Sequence, residues 1–128
     1  FSGSGSIGYE FISRGAKEVT FVEKVFHHIR FIKNVTRQLE INNVKIIKDD
    51  VFRFLKNCPA KFDIVFADPP YNLSRLEEIP PAVFESGVLQ KNGILILEHS
   101  AQNNFSTHQN FSGLRKYGKV NFSFFTIP

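Results

Sequence analysis

A carboxylate, two prolines and an aromatic ring follow one another at Asp68-Pro69-Pro70-Tyr71, directly after the apolar run Phe62–Ala67. A carboxylate only accepts hydrogen bonds, and successive prolines place carbonyls where no amide hydrogen of their own competes for them. The tetrapeptide therefore offers two acceptors, the Asp68 side chain and the Pro69 carbonyl, beside a flat face at Tyr71 on which a nucleobase can stack. An exocyclic amino group, with two hydrogens to donate, matches that set. The plainer reading is a strand-ending turn in which Asp68 caps the next segment and Tyr71 is core. Proline makes up only about 5% of average sequence, so an acidic-Pro-Pro-aromatic string is seldom met by chance in one short chain.

Two further groups could hold a ligand. Gly3, Gly5 and Gly8 have the spacing G-x-G-x-x-G ahead of a helical pattern at Ile7, Phe11 and Ile12 that Gly15 ends. Glycines let backbone approach a ligand closely, and a helix N-terminus favours anionic groups. A flexible glycine turn is the alternative. Glu23 closes a strand 20 positions after Gly3, where a nucleoside-binding fold places a carboxylate that accepts from ribose hydroxyls; it could equally open the next helix. Asp50 stands at the end of a third strand. Its carboxylate can accept from an adenine amino group while the Val51 amide donates to the ring, with a simple N-cap as the competing reading.

The elements that must position these groups are strands and helices in alternation. Phe62–Ala67 reads as a strand buried on both faces of a parallel sheet, ended by the proline pair. Val19–Glu23 and Val44–Lys48 read as two more strands. Between them residues 24–40 form a helix with Phe26, Ile29, Ile32, Val35 and Leu39 on one face and Arg30, Lys33 and Arg37 on another. That basic face suits phosphates, although a solvated face is commoner. A short helix follows Asp50. Residues 73–84 look helical but interrupted by Pro80-Pro81, with Ser86-Gly87 as the stop. Residues 94–97 make a further buried strand with Glu98 at its carboxyl end, a candidate for loop or substrate positioning or for structural hydrogen bonding. After a polar loop over residues 100–110, two strands turn at Tyr117-Gly118 as a hairpin.

The chain has 128 residues, sufficient for one domain with one core, and is rich in Phe at 15 with no Trp. It contains no Met and opens on Phe1, so it is expected to be part of a longer protein. A net charge of +4 is compatible with a polyanionic partner and with an ordinary soluble enzyme alike. Cys58, without a second cysteine, cannot form an internal disulfide and points to a reducing compartment. No apolar run approaches the ~20 residues that cross a bilayer. His27 and His28 have no metal-ligand spacing with other His or Cys residues and read as surface positions, so no metal is expected.

Gly3-Ser-Gly5-Ser-Ile-Gly8, Glu23, Asp50-Val51 and Asp68-Pro-Pro-Tyr71, in that order and spacing, resemble the class I S-adenosylmethionine-dependent methyltransferases that act on exocyclic amino groups. Among these the chain is most similar to the RsmD-type family, which methylates guanine N2 in small-subunit (16S) ribosomal RNA. Ser13-Arg14-Gly15-Ala16, the run from Asn92-Gly93 to Glu98-His99, and Lys116-Tyr117-Gly118 extend the similarity over nearly the whole chain.

The resemblance implies one Rossmann-like α/β domain over residues 1–128, mostly parallel with an antiparallel C-terminal hairpin. The family's N-terminal arm and first strand are expected to be missing from this stretch. Gly3, Gly5 and Gly8 would cradle the methionine part of S-adenosylmethionine, Glu23 its ribose, and Asp50 with Val51 its adenine. Asp68, Pro69, Pro70 and Tyr71 would grip the base. The implied partner is ribosomal RNA or an assembling small subunit, for a cytoplasmic monomer with no membrane attachment. A DNA adenine-N6 methyltransferase shares the same loop. A nicotinamide-dependent oxidoreductase explains the glycines and Glu23 but not Asp-Pro-Pro-Tyr, and a non-catalytic RNA-binding module keeps the fold without the cofactor.

Overall fold

The computed structural model describes residues 1–127. It consists of two compact units, residues 1–54 and residues 55 onward.

The first unit is a parallel strand pair with its helices. Helix α1 (Ser6–Ser13) leads into strand β1 (Val19–Glu23), helix α2 (Phe26–Gln38), strand β2 (Val44–Lys48) and the start of helix α3 (Val51–Asn57). β1 and β2 run parallel in register from Val19↔Val44 to Glu23↔Lys48, which requires a crossover, and α2 supplies it. Phe21, Ile29 and Ile32 form the buried core. α2 is shorter than the predicted residues 24–40. The Glu23 carboxylate takes the amides of Lys24 and Val25 and holds both residues outside the helix, while Leu39 caps it and Glu40 turns to a φ of 54°. Phe26 does not join the apolar face. It is 59% exposed, with the Lys48 ammonium 5.3 Å from its ring centroid.

The second unit is a mixed sheet in the order β3-β4-β6-β5. Strand β3 (Phe62–Ala67) is followed by a 3-10 turn (Leu76–Glu78), helix α4 (Ile79–Ser86), strand β4 (Leu89–His99), and the hairpin of strands β5 (Phe111–Tyr117) and β6 (Val120–Thr126). β3 pairs parallel with β4, β4 antiparallel with β6, and β5 antiparallel with β6. Gly118, at a φ of 61°, supplies the hairpin's left-handed turn. Leu95, Leu97 and Phe125 are wholly buried. The rings of Phe84, Phe105, His108 and Phe111 surround Phe125 with centroids 5.4–6.4 Å away.

Two expectations fail here for identifiable reasons. β3 is not buried on both faces: it is the edge strand of its sheet, and Asp63 and Ile64 are exposed. Pro80-Pro81 do not interrupt a helix over residues 73–84 but begin α4, at its first positions. There the amide that proline lacks would have had no intrahelical acceptor. Residues 74 and 75 instead form a turn.

Candidate functional site

In the first unit the glycine loop is built on positive φ. Gly3 sits at 52° and Gly5 at 83°, a region open to glycine at no steric cost. The Gly5 amide donates to the Ser2 carbonyl at 2.8 Å and closes the turn. A Cβ on Gly5 would stand 2.9 Å from the Tyr9 ring tip, whereas one on Gly3 would meet nothing within 4 Å. The loop is therefore packed at Gly5 and open at Gly3. No side chain caps α1, which leaves its leading amides to an outside acceptor. Gly8 differs from the expected cradle residue. It lies inside α1, where a Cβ would come within 2.2 Å of the Phe21 ring, so its bare Cα serves the close approach of helix to strand.

Glu23 is only 5% exposed and takes four hydrogen bonds from backbone. Oε1 accepts from the Ser2 and Gly3 amides at 3.1 and 2.9 Å, and Oε2 from the Lys24 and Val25 amides at 2.8 Å each. A carboxylate has about four lone-pair sites, and four amides occupy them. A ribose hydroxyl must therefore displace a loop amide to reach this carboxylate. Burial alone would raise the Glu23 carboxyl, but the amides of Val25, Gly3 and Lys24 hold it below its usual value near 4.5. A group depressed on folding stabilises the fold above its unfolded value, and that stability is lost as pH falls through the folded one. His28, read as a surface residue, places Nδ1 3.5 Å from Glu23 Oε1. A histidine in the first turn of the helix that follows the carboxylate was the available signal.

Glu23→Gln replaces one acceptor oxygen with a donor and sets two loop amides against an NH2 group. Unfolding of the full-length protein in urea at pH 7 should show a loss of about 1–3 kcal/mol, the cost of unsatisfied buried donors. The difference from the wild type should shrink as pH falls through the carboxylate range. An undiminished difference at acid pH would mean that the carboxylate charge is not what holds the loop.

Asp50 does what an N-cap does. Its Oδ1 accepts from the Phe52 and Arg53 amides at 3.0 and 3.1 Å. The second oxygen takes no part in the cap, and Val51, opening α3, has an amide with no intrahelical acceptor.

In the second unit the Asp-Pro-Pro-Tyr loop leaves β3 at its carboxyl end. Asp68 is exposed, Pro69 is fully buried, and Pro70 is exposed. The Pro70 carbonyl accepts from the Leu73 amide at 3.0 Å, which fixes the turn and leaves the Pro69 carbonyl out of it. Among the described residues no backbone amide bonds to the Asp68 carboxylate, so Asp68 is not a cap. Tyr71 is 43% exposed and is not core. Its hydroxyl donates to Glu98 Oε2 at 3.1 Å. Parallel pairing of Ala67 with Leu97 puts Asp68 and Glu98 on the next rung, side by side at the ends of neighbouring strands. Burial raises the Glu98 carboxyl, and Asp68 raises it further through a shared hydrogen bond and like charge, against a smaller opposing pull from Tyr71. Burial, then the bond to Glu98 and the charges of Glu98 and Asp68, raise the Tyr71 hydroxyl.

Among the described residues no three His, Cys, Asp or Glu side chains gather as a metal site. Among the described residues no helix is long and apolar enough to cross a membrane.

The family described as Conserved hypothetical protein 95 matches residues 1–126. Over 98 residues the chain is 33% identical to Ribosomal RNA small subunit methyltransferase D of Buchnera aphidicola, covering 77% of this chain and 50% of that relative. Over 123 residues it is 30% identical to the protein of the same name from Haemophilus influenzae, covering 91% of this chain and 62% of the relative. The chain thus spans about half the length of the first curated relative and under two thirds of the second. A crystal structure from Haemophilus influenzae, of a protein assigned as a methylase, superposes on 98% of this chain and 82% of its own length with a TM-score of 0.87 at 28% identity.

Proposed function

The chain belongs to the Conserved hypothetical protein 95 family, the RsmD-like methyltransferases, and from that premise we propose that the protein transfers a methyl group from S-adenosylmethionine to the exocyclic N2 of a guanine in small-subunit ribosomal RNA. The observation that carries the reading is the loop at the end of β3, where an uncapped carboxylate and an uncommitted proline carbonyl stand beside an exposed tyrosine ring. Both units are read as parts of one methyltransferase domain, in keeping with a family match that runs through residues 1–126.

The residues of the first unit fit the cofactor. The uncapped start of α1 and the open side of Gly3 suit an amino-acid carboxylate. Glu23, once it releases a loop amide, suits the ribose diol, and the free Asp50 oxygen with the Val51 amide suits adenine. Gly5 sets the turn, and Gly8 sets the distance from α1 to β1. When bound, S-adenosylmethionine supplies an electrophilic methyl group.

The work of the second unit is positioning. An exocyclic amine conjugated with its ring is a poor nucleophile. Asp68 and the Pro69 carbonyl each accept one of its N–H bonds, which orients the lone pair and stabilises the positive charge that develops on nitrogen. Pro70 fixes the turn that presents them, and Tyr71 stacks on the base and sets the angle of attack. Orientation of this kind can lower a barrier by up to roughly 7–11 kcal/mol, more than any single hydrogen bond supplies.

The test is methyl transfer from labelled S-adenosylmethionine by the full-length protein, with small-subunit particles, naked ribosomal RNA and DNA offered in parallel. Label on guanine N2 of RNA is the expected result. Label on adenine of DNA would keep the chemistry and overturn the substrate. Salt-sensitive RNA binding without cofactor affinity would overturn the enzyme.

A further inference from the structure

The mechanism above leaves Glu98 unused, although it bonds to Tyr71 and ends the strand next to that of Asp68. It follows Leu97 on β4 as Asp68 follows Ala67 on β3, and the pairing of Ala67 with Leu97 sets the two carboxyls on one rung and one face. Glu98 therefore stands beside Asp68, which raises the Glu98 carboxyl, and its Oε2 accepts the Tyr71 hydroxyl at 3.1 Å. Two carboxylates this close do not both ionise freely. A hydrogen bond between two carboxyls also requires a proton on one of them, since an ionised carboxylate only accepts. The other groups on this face do not remove the requirement. On β6 the partner of Glu98 is Phe122, against which Tyr117 packs, and Arg115 stands one strand farther out, on β5, opposite Phe122.

We propose that Glu98 is a positioning residue for the reaction and works in its protonated form, its carboxyl O–H donating to Asp68 while its other oxygen accepts from Tyr71. This inference rests on the methyl-transfer reading. The neutral bridge leaves Asp68 its negative charge for the amine and ties the tyrosine ring to the same support. Loss of the proton sets two carboxylates against each other and drives the acceptor away from the ring that frames it.

Glutamine reproduces the protonated acid. Its NH2 donates where the O–H did, and its carbonyl accepts from Tyr71. Alanine does neither. In the full-length protein, Glu98→Ala should lower kcat by about 10²-fold, the scale of a misplaced reacting group, with cofactor affinity unmoved. Glu98→Gln should restore most of that loss. The wild type should lose kcat as pH rises through the ionisation of Glu98, and that limb should vanish in Glu98→Gln. A Gln variant as impaired as the Ala variant, or an Ala variant with wild-type kcat, overturns the proposal.

A second readout needs no turnover. Carbon-13 NMR titration of the Glu98 carboxyl should give a midpoint above that of an ordinary glutamate, falling back in Asp68→Asn, whose amide donates to the Glu98 carboxylate. An ordinary midpoint in the wild type removes the shared proton and the proposal with it. A wild type that transfers no methyl group but shows the raised midpoint would sink the proposed function and leave the shared proton standing.

Discussion

Asp68→Ala should lower turnover by about 10³-fold, the upper end of what removal of one charge-stabilising partner costs in a preorganised site, and should leave cofactor affinity within about a factor of two. The size follows from what Asp68 alone supplies. An ionised acceptor forms hydrogen bonds roughly twice as strong as a neutral one, and its charge opposes the positive charge that appears on the attacking nitrogen. After truncation the Pro69 carbonyl holds one N–H and nothing orients the other. Asn should lose less than Ala, because its carbonyl still accepts. On the proposed function cofactor affinity should hold because the cofactor is assigned to Gly3, Gly5, Glu23 and Asp50, whereas Asp68 is assigned to the base. Exposure of Asp68 and the absence of a capping bond place the expected stability change within about 0.5 kcal/mol. Single-turnover methylation with a parallel cofactor titration decides it; an active Asp68→Ala enzyme removes Asp68 from the chemistry.

Gly8→Ala should be the most damaging single substitution in the first unit. The new Cβ would lie 2.2 and 2.4 Å from Phe21 Cε1 and Cζ and 3.2 Å from Val19 Cγ1. Phe21 is 3% exposed and has the Tyr9 ring 5.7 Å away, so it has little room to yield. Overpacking costs about 1–3 kcal/mol, and an approach this short belongs at the top of that range. The helix preference of Ala over Gly returns at most about 1 kcal/mol. A lower unfolding midpoint should come with weaker cofactor binding, because α1 must move away from β1 and carries the glycine loop with it. Gly113→Ala is the comparison, since a Cβ there meets nothing within 4 Å, and its midpoint should stay close to wild type. Equal midpoints for the two variants would refute the packing role of Gly8.

Strand ends and glycine positions were legible in the sequence because they depend on local chemistry. Proline ends β3 after Ala67, and the loop's positive φ falls on Gly3 and Gly5. Side-chain partners were less legible because they depend on register. Nothing local to Asp68 announces Glu98, 30 positions later; only the pairing of Ala67 with Leu97 brings them together. The same holds for Glu23, whose acidic type at a strand end was readable but whose four backbone partners appear only when the loop folds back on it. Pro80-Pro81 misled because two prolines inside an apolar pattern look like a break, and the geometry that makes them a start lies in the preceding turn.

Pro69 has the widest consequence. It is buried between an exposed Asp68 and an exposed Pro70, a peg set into the protein with its working neighbours left in solvent. Conformational freedom at this loop is thus lost during folding, before any base arrives. Ordering a mobile backbone costs about 1–2 kcal/mol per residue, and a recognition loop that meets its ligand already ordered does not subtract that cost from affinity. On the proposed function, selectivity then comes from rigidity: a base that does not match the fixed spacing of the two acceptors and the ring cannot be accommodated by adjustment of the loop.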